Sequence, residues 1–265
     1  DMALRYSKKL RFTFSPSKCA VLYFGESDNQ RSERFEIEDK LYLGADVLTE
    51  KSEYTHVGIV NRIKDSTPMK WIINNIGRCR RVFYSTIGTS LYKTQLSPIS
   101  LSKVYTSVCI SRLLYGADIR SYTDTEIDMY QQFHRGMAKD IQRLPINTSN
   151  PVPLATIGWH GIIYHIDLAK LMFGHRILAS ASDSIYRIVF ISRFYFVMAT
   201  GVFTDNSPVA LFIGTCKKYG ILGFIKQCIV SGVIPCKTEW KRMCNNAMRD
   251  HDFALRSEER RVGKD

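Results

Sequence analysis

Read from its amino terminus, the chain alternates before it becomes helical. Leu10-Arg-Phe-Thr-Phe14 has apolar residues at every second position, the period of a half-buried strand. Ala20-Val-Leu-Tyr-Phe24 is a short apolar run closed by Gly25. Residues 35–47 and 54–60 are also β-like, with turn signals at Gly44 and around Lys51-Ser52. Four short strands with close turns predict the edge of an antiparallel sheet. From Thr67-Pro68 the period changes, because a capping residue followed by proline starts a helix. Met69, Ile72, Ile73, Ile76, Phe83 and Ile87 then form an apolar stripe, and Lys70, Asn74, Arg78 and Arg81 lie opposite. A second helix is predicted from about 99 to 115, with Leu101, Val104, Tyr105, Val108 and Leu113 inward and Gly116 as its stop.

A third helix starts at Thr123, where Thr123-Asp-Thr-Glu126 has the form of a capping box. Its inward residues are Ile127, Tyr130, Phe133, Met137, Ile141 and Leu144. Arg135, Lys139 and Arg143 lie on the other side, and Pro145 ends it. A fourth helix covers roughly 161–178. Beyond about residue 185 the pattern is mixed and no internal repeat is visible. The fold class expected is α+β: short antiparallel strands followed by a helical body.

Composition changes this picture in one respect, the sign of the charge. The chain of 265 residues has 37 Lys and Arg against 25 Asp and Glu, a formal charge of +12. Residues 1–60 carry a net −1, residues 61–150 a net +7 and residues 151–255 a net +5. A polyanion is therefore expected on the helical part. The 45% hydrophobic content supports a packed core and excludes a disordered chain. Seven cysteines, an odd count in a long chain and within apolar runs, read as reduced thiols of an intracellular protein, nuclear or cytoplasmic. Cys228, Cys236 and Cys244 recur every eight residues, without the close pair that zinc sites use, so no metal is expected. The apolar stretches at 185–203 and 219–235 contain Arg187, Arg193 and Lys226, and no membrane partner is expected.

Phosphate-binding glycine loops, H-E-x-x-H and G-x-S-x-G are missing from the sequence. Tyr122-Thr-Asp-Thr125 is near the Tyr-x-Asp-Asp turn of polymerases but lacks its second carboxylate. Asp124 reads instead as a negative charge at a helix N-terminus. Polymerase chemistry needs clustered carboxylates around two Mg²⁺ ions, so catalytic residues in this chain are expected to be none.

Several short motifs nevertheless follow one another in a familiar order. The stretch from Leu10 to Gly25, with Ser15-Pro-Ser-Lys18 between two strand-like runs, resembles the segment after the Tyr-x-Asp-Asp motif in reverse transcriptases of non-LTR retrotransposons, with Ser15 where that family usually has Asn. Tyr54-Thr-His-Val-Gly-Ile59 resembles the family's primer grip, Y-x-x-L-G-V. Leu113-Leu-Tyr-Gly-Ala117 resembles the L-x-Y-G-[AS] that closes a thumb helix. His134 together with Lys139-Asp-Ile-Gln-Arg-Leu-Pro145 resembles the next helix's pattern, with Arg143 in place of Gly. Thr156-Ile-Gly-Trp159 resembles the L-G-[WY] beyond it. The resemblance covers about residues 6–180 and is weaker to about 245.

The resemblance implies a fragment of an RNA-directed DNA polymerase (a nucleotidyltransferase of a transposable element). Residues 1–62 would be a palm remnant with a primer-grip-like hairpin, 63–150 a helical thumb and 151–255 a helical C-terminal extension. The partner would be an RNA/DNA primer–template, together with the upstream palm and fingers of the same polyprotein. The catalytic carboxylates would lie upstream of Asp1, Mg²⁺ would serve only the intact polymerase, and the fragment alone would be inactive. Lys18 would sit near the incoming triphosphate, His56 and Gly58 in the primer grip, and Lys70, Arg78 and Arg81 on the thumb's nucleic-acid face. Trp71, Tyr105, Tyr115 and Trp159 could stack on bases but read more simply as core. A non-enzymatic basic helical module binding nucleic acid or protein is the other reading. Residues 256–265, beginning Arg256-Ser-Glu-Glu-Arg-Arg-Val-Gly-Lys264, resemble the translation of a sequencing adapter and are set aside from the fold as a tail.

Overall fold

The computed structural model describes residues 2–15, 18–23, 41–43, 46–51, 53–56, 59–62, 68–93, 96–201 and 207–262. These residues are mostly helical with a few short strands, an α+β chain at a coarse level. Two compact units divide at Trp71 and Ile72.

The first unit opens with a helix that the alternation of residues 10–14 concealed, α1 (Met2–Lys9). Arg11 takes a left-handed conformation (φ 57°) and Phe12 N–H bonds back to the Ser7 carbonyl at 3.1 Å, which ends the helix. Residues 12–15 then form no strand, contrary to the expectation. Phe12 and Phe14 share a side, where their rings meet edge to face, 5.2 Å apart.

The described strands are β1 (Ala20–Val21), β2 (Tyr42–Leu43), β3 (Asp46–Val47), β4 (Thr49–Glu50), β5 (Glu53–His56) and β6 (Ile59–Arg62). They pair as three two-stranded ribbons, not as one antiparallel edge. β2–β3 and β5–β6 are antiparallel, whereas β1 runs parallel to β4, with Ala20 opposite Thr49. Most of the expected strand over 35–47 lies outside the described residues.

The second unit is helical. It contains most of α2 (Pro68–Lys93), then α3 (Pro98–Val104), a π turn (Tyr105–Cys109) and α4 (Ile110–Leu113). It continues with α5 (Asp124–Gln142), α6 (Pro151–Thr156), α7 (Ile162–Leu178), α8 (Ile185–Thr200), α9 (Pro208–Lys218), α10 (Leu222–Ser231) and α11 (Lys237–Val262). α11 thus runs on past residue 256.

Several boundaries follow the sequence closely. Thr123 accepts from Glu126 N–H and Glu126 accepts from Thr123 N–H at 2.8 Å, a reciprocal box that starts α5. Arg120 completes it with a 3.1 Å ion pair to the buried Glu126. α5 stops at Gln142, before Pro145, because Arg143 turns left-handed (φ 57°, ψ 33°). Leu144 N–H then closes on the Lys139 carbonyl at 2.9 Å. The α3–α4 helix ends at Leu113, and Gly116 (φ 80°) lies in the turn just beyond it, near the expected stop.

α7 packs against α5, α8, α9 and α11. The core around it includes Leu171, Phe190, Phe194, Phe212, Ile213 and Trp240. Trp240 Nε1 donates to the Leu171 carbonyl at 3.2 Å, and Asp167 accepts from Lys218 Nζ at 2.7 Å and Tyr219 OH at 2.8 Å. Gly174 makes the α7–α9 approach possible: a Cβ there would fall 2.2 Å from the Phe212 ring. All seven cysteines are free, and five of them are buried: Cys79, Cys109, Cys216, Cys228 and Cys244. No helix among the described residues is long and apolar enough to cross a membrane.

Two stability outcomes follow. Gly174→Ala should destabilise by about 1–3 kcal/mol, since the fully buried Phe212 ring must move. Arg143→Gly should be neutral or stabilising by up to about 1 kcal/mol, because glycine takes the left-handed region without a Cβ penalty. Arg143→Val should cost more than either. Denaturant unfolding of the three variants checks this order.

Candidate nucleic-acid interface

α2 is the element on which the expected basic residues converge. Its buried side is Ile72, Asn75, Cys79 and Phe83, a spacing of three to four residues that keeps one stripe inward. Ile73, expected inward, is instead 54% exposed, because it lies on the flank of the stripe that Asn75 and Cys79 complete. Asn75 Nδ2 donates to the Tyr130 hydroxyl at 3.3 Å and so holds α2 to α5 inside the core. This polar contact was not anticipated from the sequence.

Asn74, Arg78 and Arg81 are exposed on the opposite side, where the sequence placed them. Lys70 is on the same helix, but its side chain lies outside the description. The first unit brings two other candidate segments together, since Tyr54 OH donates to the Lys18 carbonyl and Lys18 itself is exposed. His56 pairs with Ile59 across the β5–β6 hairpin. Gly58 lies outside the described residues.

Two further residues belong to the α2 surface. Arg80, between Arg78 and Arg81, is exposed, and its guanidinium lies over the Phe133 ring of α5 at 5.4 Å. Tyr84, 42% exposed and one turn beyond Arg81, donates to Asp140 Oδ2 at 3.3 Å. Between the helices runs a groove of about 500 Å³, lined by Ile76, Arg80, Tyr84, Phe133, Met137 and Asp140 among others. A helical projection of the sequence puts Arg80 and Tyr84 on the shoulder of the basic face. What it could not supply was the identity of the opposing helix.

The surface is held in place by an aromatic stack from three chain segments. The Tyr105 and Trp159 rings are stacked at 4.5 Å, and His134 stacks on Trp159 at 5.0 Å. Tyr105 is at the start of the π turn, whose wider winding carries the Ile110 N–H to the Tyr105 carbonyl. The His134 hydrogen bonds fix its tautomer. Nε2 is 3.0 Å from the His160 carbonyl, which can only accept, so Nε2 carries the proton. Nδ1 then accepts from the Tyr105 hydroxyl at 3.0 Å. Trp159 Nε1 donates to Ser102 Oγ at 2.7 Å. Trp159 and Tyr105 are thus packing residues, in keeping with the core reading, whereas Tyr115 is 41% exposed.

Burial keeps this histidine neutral. Desolvation lowers His134 to about 4, and the same cause lowers the neighbouring His165 to about 4, with further repulsion from His134 and His160. Among the described residues, no group of three or more His, Cys, Asp or Glu side chains is disposed to hold a metal ion. What the surface offers is cations, exposed rings and a groove, which suit binding. Compared with family models, with curated proteins and with solved structures, the chain finds no match in any of the three.

The two depressed imidazoles make a pH prediction. The unfolded chain takes up protons below about pH 6.5 and the folded chain only near pH 4. Their contribution is therefore fully present above about pH 6.5 and is lost as the pH falls toward 4. The melting temperature should drop across that window, and a His134→Gln/His165→Gln variant should show a shallower drop, whatever its absolute stability. Tyr105→Phe, which leaves Nδ1 of His134 buried without its donor, should cost about 1–3 kcal/mol at neutral pH.

Proposed function

We propose that this chain is the primer-grip and thumb part of an RNA-directed DNA polymerase of the non-LTR retrotransposon type. In this reading it contributes contacts to primer–template, and the catalytic carboxylates and Mg²⁺ belong to the rest of the enzyme. The observation that carries the reading concerns the motif positions where the family has glycine. Gly116 (φ 80°), Arg143 (φ 57°) and Gly158 (φ 69°) each occupy the left-handed region, where glycine is favoured. Arg143, which stands where the family pattern has glycine, is also the residue that ends α5 in that conformation. The order of the motifs and the geometry of their turns thus agree.

The binding surface in this proposal is the exposed face of α2, with Arg78 and Arg81 on phosphates and Lys70 beside them in sequence. Lys18, His56 and Gly58 would attend the primer terminus and the incoming triphosphate. Contacts of this kind position a duplex without reading its sequence, and they release counterions. Residues 61–150, with a net +7, supply the field. A second reading, a basic helical module acting on its own, is favoured by the separate core of the second unit. A primer–template junction separates the two readings.

Binding to a recessed primer–template should fall by orders of magnitude between about 50 and 200 mM salt if several phosphates are neutralised. Arg78→Ala and Arg81→Ala should each weaken it and each reduce the salt slope by about one. A junction bound better than a blunt duplex supports the thumb reading. Equal binding of both supports the independent module, and a flat salt response contradicts both.

A further inference from the structure

The groove between α2 and α5 is not explained by phosphate contacts. We propose that it takes an unpaired nucleobase, so that the chain holds a single-stranded segment next to the duplex on its basic face; this rests on the nucleic-acid reading above.

The lining decides what can enter. Ile76, Met129, Phe133 and Met137 provide an apolar floor of the kind that accepts a flat ring. The Arg80 guanidinium, 5.4 Å over the Phe133 ring, offers a planar group to a base, and the exposed Tyr84 ring offers another. Gln132 and Asp140 add an amide and a carboxylate, which suit the polar edge of a base. The carboxylate repels a phosphate beside it, which favours a strand whose backbone runs along the cationic rim. Arg81 lies on the helix surface one turn before Tyr84, and Arg78 lies beyond it on the same solvent face. Cations at the rim and a nearly neutral, ring-lined interior match the two halves of a nucleotide. The volume of about 500 Å³ lies within the range of small-molecule sites.

Gly136 provides a clean test. It lines the groove on α5, and a Cβ there meets nothing within 4 Å. Gly136→Leu therefore fills the groove, and leucine suits a helix interior better than glycine, so folding is preserved. The experiment uses the full chain with a short single strand carrying 2-aminopurine and with a blunt duplex of equal length. The wild type should change the fluorescence of the single strand on binding. Gly136→Leu should weaken single-strand binding about tenfold and abolish the fluorescence change, while duplex affinity stays within about twofold. Unchanged single-strand binding, or an equal loss on both ligands, would overturn the groove proposal. Failure of the wild type to bind either ligand would instead overturn the nucleic-acid reading on which it rests.

Discussion

Three rings from separate parts of the chain pack together, Trp159 stacking 4.5 Å from Tyr105 and 5.0 Å from His134, and they satisfy each other's polar atoms or those of near neighbours. The arrangement works only while the imidazole is neutral and carries its proton on Nε2. It also needs the π turn, which places Tyr105 at the stack while Cys109 and Leu113 on the continuing helix remain buried. Without it, the α3–α4 helix, α5 and the start of α7 would lose their common contact. The α2 face depends on that scaffold at one remove, because α2 is tied to α5 through Asn75 and Tyr130.

A second constraint separates charge. Glu126 and Asp167 are buried in pairs with Arg120 and Lys218, and Asp118 is paired with Arg176. Carboxylates used this way tie elements together and contribute little to the outer field. Buried pairs of this kind are weak evidence for stability in themselves, since desolvation opposes the attraction. Their consequence is electrostatic: Arg78 and Arg81 face solvent on a helix whose described part contains no acidic residue.

Much of the helical body was legible in the residues. The Thr123–Glu126 box, Gly116 as a stop and the span near 161–178 came directly from local chemistry, which acts over one turn and needs no partner. The strand region was less legible. Alternation at Leu10–Phe14 belongs to an irregular segment that closes α1, and two-residue strands are too short to print a period. The end of the chain was opaque for a different reason. α8 buries Phe190, Phe194 and Val197 yet exposes Ile185, Tyr186, Ile188 and Phe196, so apolar residues on both faces erase the helical signal. Of the interface, Arg78 and Arg81 could be read from spacing, whereas the groove needed two helices brought together by Asn75, a polar residue no hydrophobic pattern selects.

Nucleic acid is proposed to lie on the exposed face of α2. Photo-cross-linking of the bound primer–template, followed by peptide mapping, addresses this directly. Adducts concentrated on residues 74–84, and suppressed when salt is raised, are the result expected. Adducts confined to α8 or α11, with α2 unmodified, would contradict it.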